Sequence, residues 1–204
     1  VFLITWISEK IFDSNAELIK STIFFASVFG VLMLQQSTLS NMPKKINLDP
    51  TVMLHDHNGN LVSSEYFKGK PLVVFFGFTH CPEICPTTLN DISIWLDEVG
   101  TITEKISINF VTVDPERDTA EELNKYIENF SSQIVGITGT QIELNKLFSA
   151  FGVYALKVPL DDNSYTVDHS SSIYLVDING RLFDIISFGE HSESAIEKLK
   201  SFLN

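Results

Sequence analysis

Leu72 to Phe78 is an unbroken apolar run, and Cys81 and Cys85, the chain's only two cysteines, follow it directly. A continuous run of that length suits a strand buried on both faces. A spacing of i and i+4 sets two sulfurs on one side of a single helical turn. The chain therefore needs a strand-to-helix junction with paired thiols at the helix N-terminus. Such a pair can form a disulfide, attack one, or hold a soft metal ion. The positive end of a helix lowers the pKa of a thiol placed there and makes it reactive. A purely structural disulfide gains little from closing so short a loop. A Cys-x-x-Cys pair would point to thioredoxin-type exchange. Here Pro82-Glu83-Ile84 intervene and open the loop enough for an ion to sit between the sulfurs.

Two thiolates with one imidazole make a soft, low-coordinate site, suited to copper more than to magnesium or calcium. The chain offers His55, His57, His80, His169 and His191. His169 lies in Val167-Asp168-His169-Ser170, which reads as a loop end just before a strand and able to face the cysteine turn. His80 adjoins Cys81, but neighbours in an extended turn point opposite ways. His55 and His57 straddle a hairpin strand, as exposed residues or as a weak second metal site. The charged turn Asp114-Pro115-Glu116-Arg117-Asp118 reads as local: Arg117 pairs with a carboxylate and Thr119 caps a helix.

Along the chain, Val52–Leu54 and Leu61–Val62 flank Asn58-Gly59, a hairpin signal. The spacing predicts a helix over 86–99, with Leu89, Ile92, Leu96 and Val99 on one face. A strand is expected over 106–113 and a short one over 134–138. Thr119 to Glu122 and Thr140 to Glu143 both fit a capping box opening a helix. Strands are expected over 153–158, 172–177 and 181–187, and a last helix over 194–203. Strands alternating with helices predict an α/β sheet domain.

The 204 residues suffice for one domain with a sizeable core and an appendage. Net charge is −12, with 14 Lys and Arg against 26 Asp and Glu. That balance argues against nucleic acid as a partner and against docking on anionic lipid by charge. From Ser21 to Pro43 no residue is charged, and Ile23 to Leu34 is almost wholly apolar. About 20 residues span a bilayer core, so a single transmembrane helix is expected over 21–43. The expected organisation is an N-terminal segment 1–20, a membrane anchor 21–43, a tether 44–50 and a metal-binding domain 51–204. Arginine occurs only at Arg117 and Arg181, so no Arg-rich mitochondrial presequence is visible. Residence in a bacterial inner membrane with the domain in the periplasm is therefore expected, with the mitochondrial inner membrane facing the intermembrane space as the alternative.

Phe76 to Pro86, Val113 to Thr119, Gly136 to Thr140 and Val167 to Ser170 together resemble the Sco/SenC family of thioredoxin-fold copper chaperones, in the family's order and spacing. The resemblance runs from about Gly59 to the C-terminus. It implies a thioredoxin-like fold with an N-terminal hairpin, and a copper ion held by Cys81, Cys85 and His169. It also implies delivery of copper to the dinuclear copper centre of cytochrome c oxidase, or reduction of that centre's cysteines. The copper-centre subunit and a thiol reductant are then the partners. Asp168 matches the acidic neighbour of the family's histidine and is expected to orient its ring. Glu83 stands where the family often has Asp, and Ser164-Tyr165-Thr166 replaces a commoner Asp-Tyr-Leu. Neither departure touches an expected ligand. Two rivals use the same cysteines. A thiol–disulfide oxidoreductase with Cys81 and Cys85 as its redox pair needs no histidine. A peroxidase of the peroxiredoxin type needs a threonine and an arginine near its thiol, for which Thr79 and the distant Arg117 are poor support.

Overall fold

Every residue of β3 (Leu72–Gly77) and of β4 (Ser107–Thr112) is buried, as the apolar run predicts for central strands. The structure is a computed structural model that describes residues 45–161 and 164–204. The expected N-terminal segment and anchor lie outside the described residues. Among those described, no helix is long and apolar enough to cross a membrane.

β3 and β4 run parallel, with Phe75 opposite Phe110. Around them β1 (Met53–Asp56), β2 (Leu61–Ser63), β5 (Ile134–Thr138), β8 (Ile173–Val176) and β9 (Leu182–Ile186) complete a seven-stranded sheet in the order β2-β1-β5-β4-β3-β8-β9. The hairpin expected around Asn58-Gly59 is β1–β2, pairing Leu54 with Val62.

Side-chain alternation along β3 divides the core into two layers. Phe76 points to the face covered by α3 (Gln141–Phe151), where its ring meets Phe148 and Phe151 edge-on at 5.8 and 5.3 Å. Phe75 points to the other face, beside Phe110, whose ring lies 5.7 Å from Tyr126 of α2 (Ala120–Ile127). That face also carries α1 (Ile84–Val99), which packs against α4 (Ser192–Leu203). Phe75, Phe76 and Phe110 are essentially inaccessible, each contributing about 1.5–3 kcal/mol by burial. Both expected capping threonines act as such: Thr119 Oγ1 accepts from Glu122 N at 3.2 Å, and Thr140 Oγ1 from Glu143 N at 3.3 Å.

Three expectations are corrected. The first helix starts at Ile84, not Pro86, so Cys85 belongs to its first turn. Packing of the domain reaches back into the expected tether: Ile46 is buried and its N–H donates to the Gly180 carbonyl at 2.8 Å. Val167-Asp168-His169 is not a loop but the end of strand β7 (Tyr165–His169). It pairs antiparallel with β6 (Ala155–Pro159) in a two-stranded ribbon outside the main sheet. The apolar signal at Leu156 and Val158 is genuine strand alternation, yet both side chains face solvent.

Candidate metal centre

Cys81 lies in the turn between β3 and α1, and Cys85 in the first turn of the helix; both are free thiols. The first turn of a helix leaves backbone N–H groups without intrahelical partners. One of them, Cys85 N–H, donates to Cys81 Sγ at 3.4 Å. Cys81 is half-buried, while Cys85 is fully buried against Gly77. A Cβ at position 77 would lie 2.8 Å from Cys85 Sγ and 2.6 Å from Phe110 Cε2. Glycine at the end of β3 is therefore what lets the sulfur sit directly on the sheet.

His169 closes the site from β7. Its Nε2 stands 3.8 Å from Cys85 Sγ, and its ring packs edge-on against Phe78 at 5.7 Å. The other ring nitrogen, Nδ1, lies 2.9 Å from the Ser170 carbonyl oxygen. A carbonyl can only accept, so Nδ1 carries the proton and Nε2 presents its lone pair to the sulfurs. The orienting partner is thus the Ser170 backbone and not Asp168. Strand alternation turns the Asp168 carboxylate to the opposite, exposed face of β7.

The two thiols are electrically unequal. A hydrogen bond from Cys85, aided by the backbone N–H groups of Cys85 and Glu83, pulls the Cys81 thiol down to about 4 against the effect of its burial. Donating that proton to Cys81, together with its own burial, pushes Cys85 up. The pair therefore holds one proton, on Cys85, and Cys81 is a thiolate at neutral pH.

The donor set fits a soft ion. Metal–sulfur and metal–nitrogen bonds of about 2.3 and 2.0 Å together exceed the 3.8 Å gap, so one ion can touch both Cys85 and His169. The set is not drawn tight: among the described residues no three His, Cys, Asp or Glu side chains are spaced to hold an ion as they stand. A cleft of about 400 Å³ opens over the site between the cysteine turn and β7, lined by Phe78, Cys81, Ile84, Val167 and His169 among others.

The remaining histidines stay away from the sulfurs. His80 is half-exposed and rests its Nδ1 on Thr79 Oγ1 at 3.0 Å. His57 Nδ1 accepts from Gly136 N–H at 3.1 Å and its Nε2 contacts Asn58 Nδ2 at 3.0 Å. With both nitrogens engaged, His57 forms no second metal site with His55. His191 precedes α4.

The 114–118 turn reaches further than its local reading. Arg117 Nε does pair with a carboxylate, that of fully buried Asp114. The same guanidinium donates through Nη1 to the Tyr165 carbonyl at 3.0 Å and stacks on the Tyr165 ring at 3.8 Å. Asp118, also fully buried, accepts from Thr79 N–H at 3.1 Å and from the hydroxyls of Thr79 and Thr112, both at 2.6 Å. Of the turn's four charged residues, Asp114, Glu116, Arg117 and Asp118, the carboxylates of Asp114 and Asp118 are inaccessible, and buried charges of this kind hold other groups in place.

A protein-family model described as SCO1/SenC matches residues 41–204. A SCO2-like protein of Rickettsia prowazekii is 39% identical over 139 residues, covering 67% of this chain and 68% of that protein. The chain spans about half the length of the mitochondrial relatives it matches. Among solved structures, Bradyrhizobium japonicum ScoI with copper bound superposes with a TM-score of 0.68 at 40% identity, covering 74% of this chain and 96% of that one. BsSco, whose structure is described by a disulfide switch and as a member of a family of cytochrome c oxidase assembly proteins, superposes with a TM-score of 0.62 at 25% identity, covering 78% and 94%. These superpositions agree with the expected thioredoxin-like α/β fold.

Proposed function

From the premise that this chain belongs to the SCO1/SenC family, we propose that it binds one copper ion through Cys81, Cys85 and His169 and serves assembly of the dinuclear copper centre of cytochrome c oxidase. The observation that carries the reading is the approach of His169 Nε2 to Cys85 Sγ at 3.8 Å, across 84 residues of sequence. Cys81 is already a thiolate; Cys85 gives up its proton when the ion arrives, so uptake releases about one proton at neutral pH. Nε2 needs no deprotonation, because Nδ1 holds the ring proton against Ser170. The open cleft supports handover: an acceptor thiolate can approach the ion before the chain's own ligands let go.

X-ray absorption on the copper-loaded protein tests the ligand set. Two sulfurs with one or two nitrogens are expected, while sulfur alone would remove His169. Residues 21–43 are proposed to anchor the domain to a membrane, facing the bacterial periplasm or the mitochondrial intermembrane space. Protease accessibility of the domain in intact spheroplasts against lysed ones checks that placement.

The unequal thiols favour a second reading, thiol–disulfide exchange. Cys81 thiolate attacks a partner disulfide and forms a mixed disulfide, releasing one partner thiolate, which takes up a proton. Cys85, losing its proton, then attacks Cys81 Sγ and expels the second partner thiolate. The partner gains two electrons and the chain is left oxidised, so a thiol reductant must restore it. Exchange that survives loss of His169 at full rate, with copper uptake abolished, separates this activity from metal transfer.

A further inference from the structure

We propose that Arg117 and Tyr165 are positioning residues that hold the β6–β7 ribbon against the domain and so set the distance between His169 and the cysteine pair. The proposal deepens the reading just given and rests on it.

The reason lies in topology. β7 carries His169 but, among the described residues, shares no ladder with the main sheet and pairs with β6 alone. The ribbon's bonds at its base are its own: Ser170 N–H donates to the Tyr154 carbonyl and Tyr154 N–H to Ser170 Oγ. A two-stranded ribbon is marginal by itself, so its position must come from outside. Buried Val167 contributes packing without direction. The directional bonds converge on the 114–118 turn. Tyr165 OH donates to Asp114 Oδ1 at 2.8 Å, its carbonyl accepts from Arg117 Nη1, and its ring lies under the guanidinium. The guanidinium in turn pairs with Asp114, which is inaccessible to solvent.

The turn's other end holds the cysteine side. Asp118 takes the Thr79 N–H and hydroxyl two residues before Cys81, and Asp118 N–H donates to the Asp114 carbonyl at 2.9 Å. One rigid turn thus references both halves of the centre, Thr79 through Asp118 and Tyr165 through Arg117. Releasing Arg117 frees the ribbon four residues from His169 while the cysteine turn keeps its own support.

The test uses Arg117→Ala and Tyr165→Leu, with Arg117→Lys as the conservative variant. In metal-free protein, amide hydrogen exchange over Thr166 to Ser170 is expected to quicken about tenfold or more, as loss of a charge-assisted hydrogen bond implies. The nuclear Overhauser contact between the Phe78 and His169 rings should vanish, with the amides of α1 unchanged. Arg117→Lys keeps the charge beside Asp114 but not the fork or the stack, and should restore the contact only in part. Copper affinity of the two disruptive variants should fall about 10- to 100-fold. Wild-type exchange and an intact ring contact in both variants overturn the proposal, as does equal loosening of α1. Should Arg117→Ala fail to fold, Tyr165→Leu decides alone. Wild-type protein that binds copper through sulfur only overturns the metal-site reading instead, and the metal-free measurements then judge the clamp independently.

Discussion

His169 Nε2 faces Cys85 Sγ at 3.8 Å with its lone pair free, because the Ser170 carbonyl holds the proton of Nδ1. Backbone, rather than a neighbouring carboxylate, fixes this tautomer, and a backbone partner does not titrate. The imidazole is thus held with Nε2 toward the sulfurs by a partner whose own state does not change with pH.

Replacing the ring tests its part in binding. His169→Ala should weaken copper binding about 100-fold or more, since loss of even an outer partner of a ligand costs about 10- to 100-fold. Competition against a chelator of known affinity measures it. Affinity within about twofold of wild type would leave a two-sulfur site.

Cys81 governs the pH dependence. Its thiol is pulled down to about 4, against about 8.5 for a free cysteine. Alkylation of the reduced protein should therefore be near its plateau at pH 6 and fall by half near pH 4, with Cys85 reacting far more slowly. A depressed folded pKa contributes stability that is whole above the unfolded thiol's pKa and is lost as pH falls toward 4. Copper uptake should weaken over the same acid range. A Cys81 alkylation midpoint near 8.5 would remove the thiolate from the mechanism.

Gly77 separates crowding from backbone effects. Its φ is not in the left-handed region, so alanine there meets no conformational penalty. The added Cβ would instead stand 2.6 Å from Phe110 Cε2 and 2.8 Å from Cys85 Sγ. Phe110 is fully buried and has nowhere to swing. Gly77→Ala should cost about 1–3 kcal/mol in denaturant midpoint and displace Cys85, lowering copper affinity as well. Unchanged stability would mean that the sheet and α1 part more easily than their packing suggests.

The parts of this molecule legible in its sequence are those whose causes are local. An apolar run makes β3, two cysteines mark the turn after it, and a threonine three residues before a glutamate starts α2 and α3. What was hidden depends on distance along the chain. Val167-Asp168-His169 reads as a loop because its strand partner lies in a ribbon with one wet face, where burial leaves no strong pattern. The family resemblance implies that Asp168 orients the ring, but strand alternation turns its carboxylate away. The pairing of Arg117 with a nearby carboxylate, that of Asp114, is local and legible. Its contact with Tyr165 spans 48 residues and that of Asp118 with Thr79 spans 39. No periodicity announces either.

Asp118 is the residue whose replacement probes that hidden support. It accepts from one N–H and two hydroxyls while wholly buried. An asparagine offers a single carbonyl oxygen, with two lone pairs, to three donors and sets its own N–H₂ against at least one of them. Asp118→Asn should therefore cost about 1–3 kcal/mol and loosen Thr79, with a fall in copper affinity. Burial, opposed by those hydrogen bonds, pushes the Asp118 carboxyl above its ordinary range. A raised folded pKa contributes stability that is present below the unfolded carboxyl's pKa and is lost as pH rises through the folded value. The wild type's advantage over Asp118→Asn should accordingly be largest in acid and shrink toward neutrality. Urea midpoints of both proteins at pH 4 and pH 7 measure it. An advantage that grows with pH would mean that the three donors outweigh burial and that the carboxylate, once ionised, strengthens the turn beneath the cysteines.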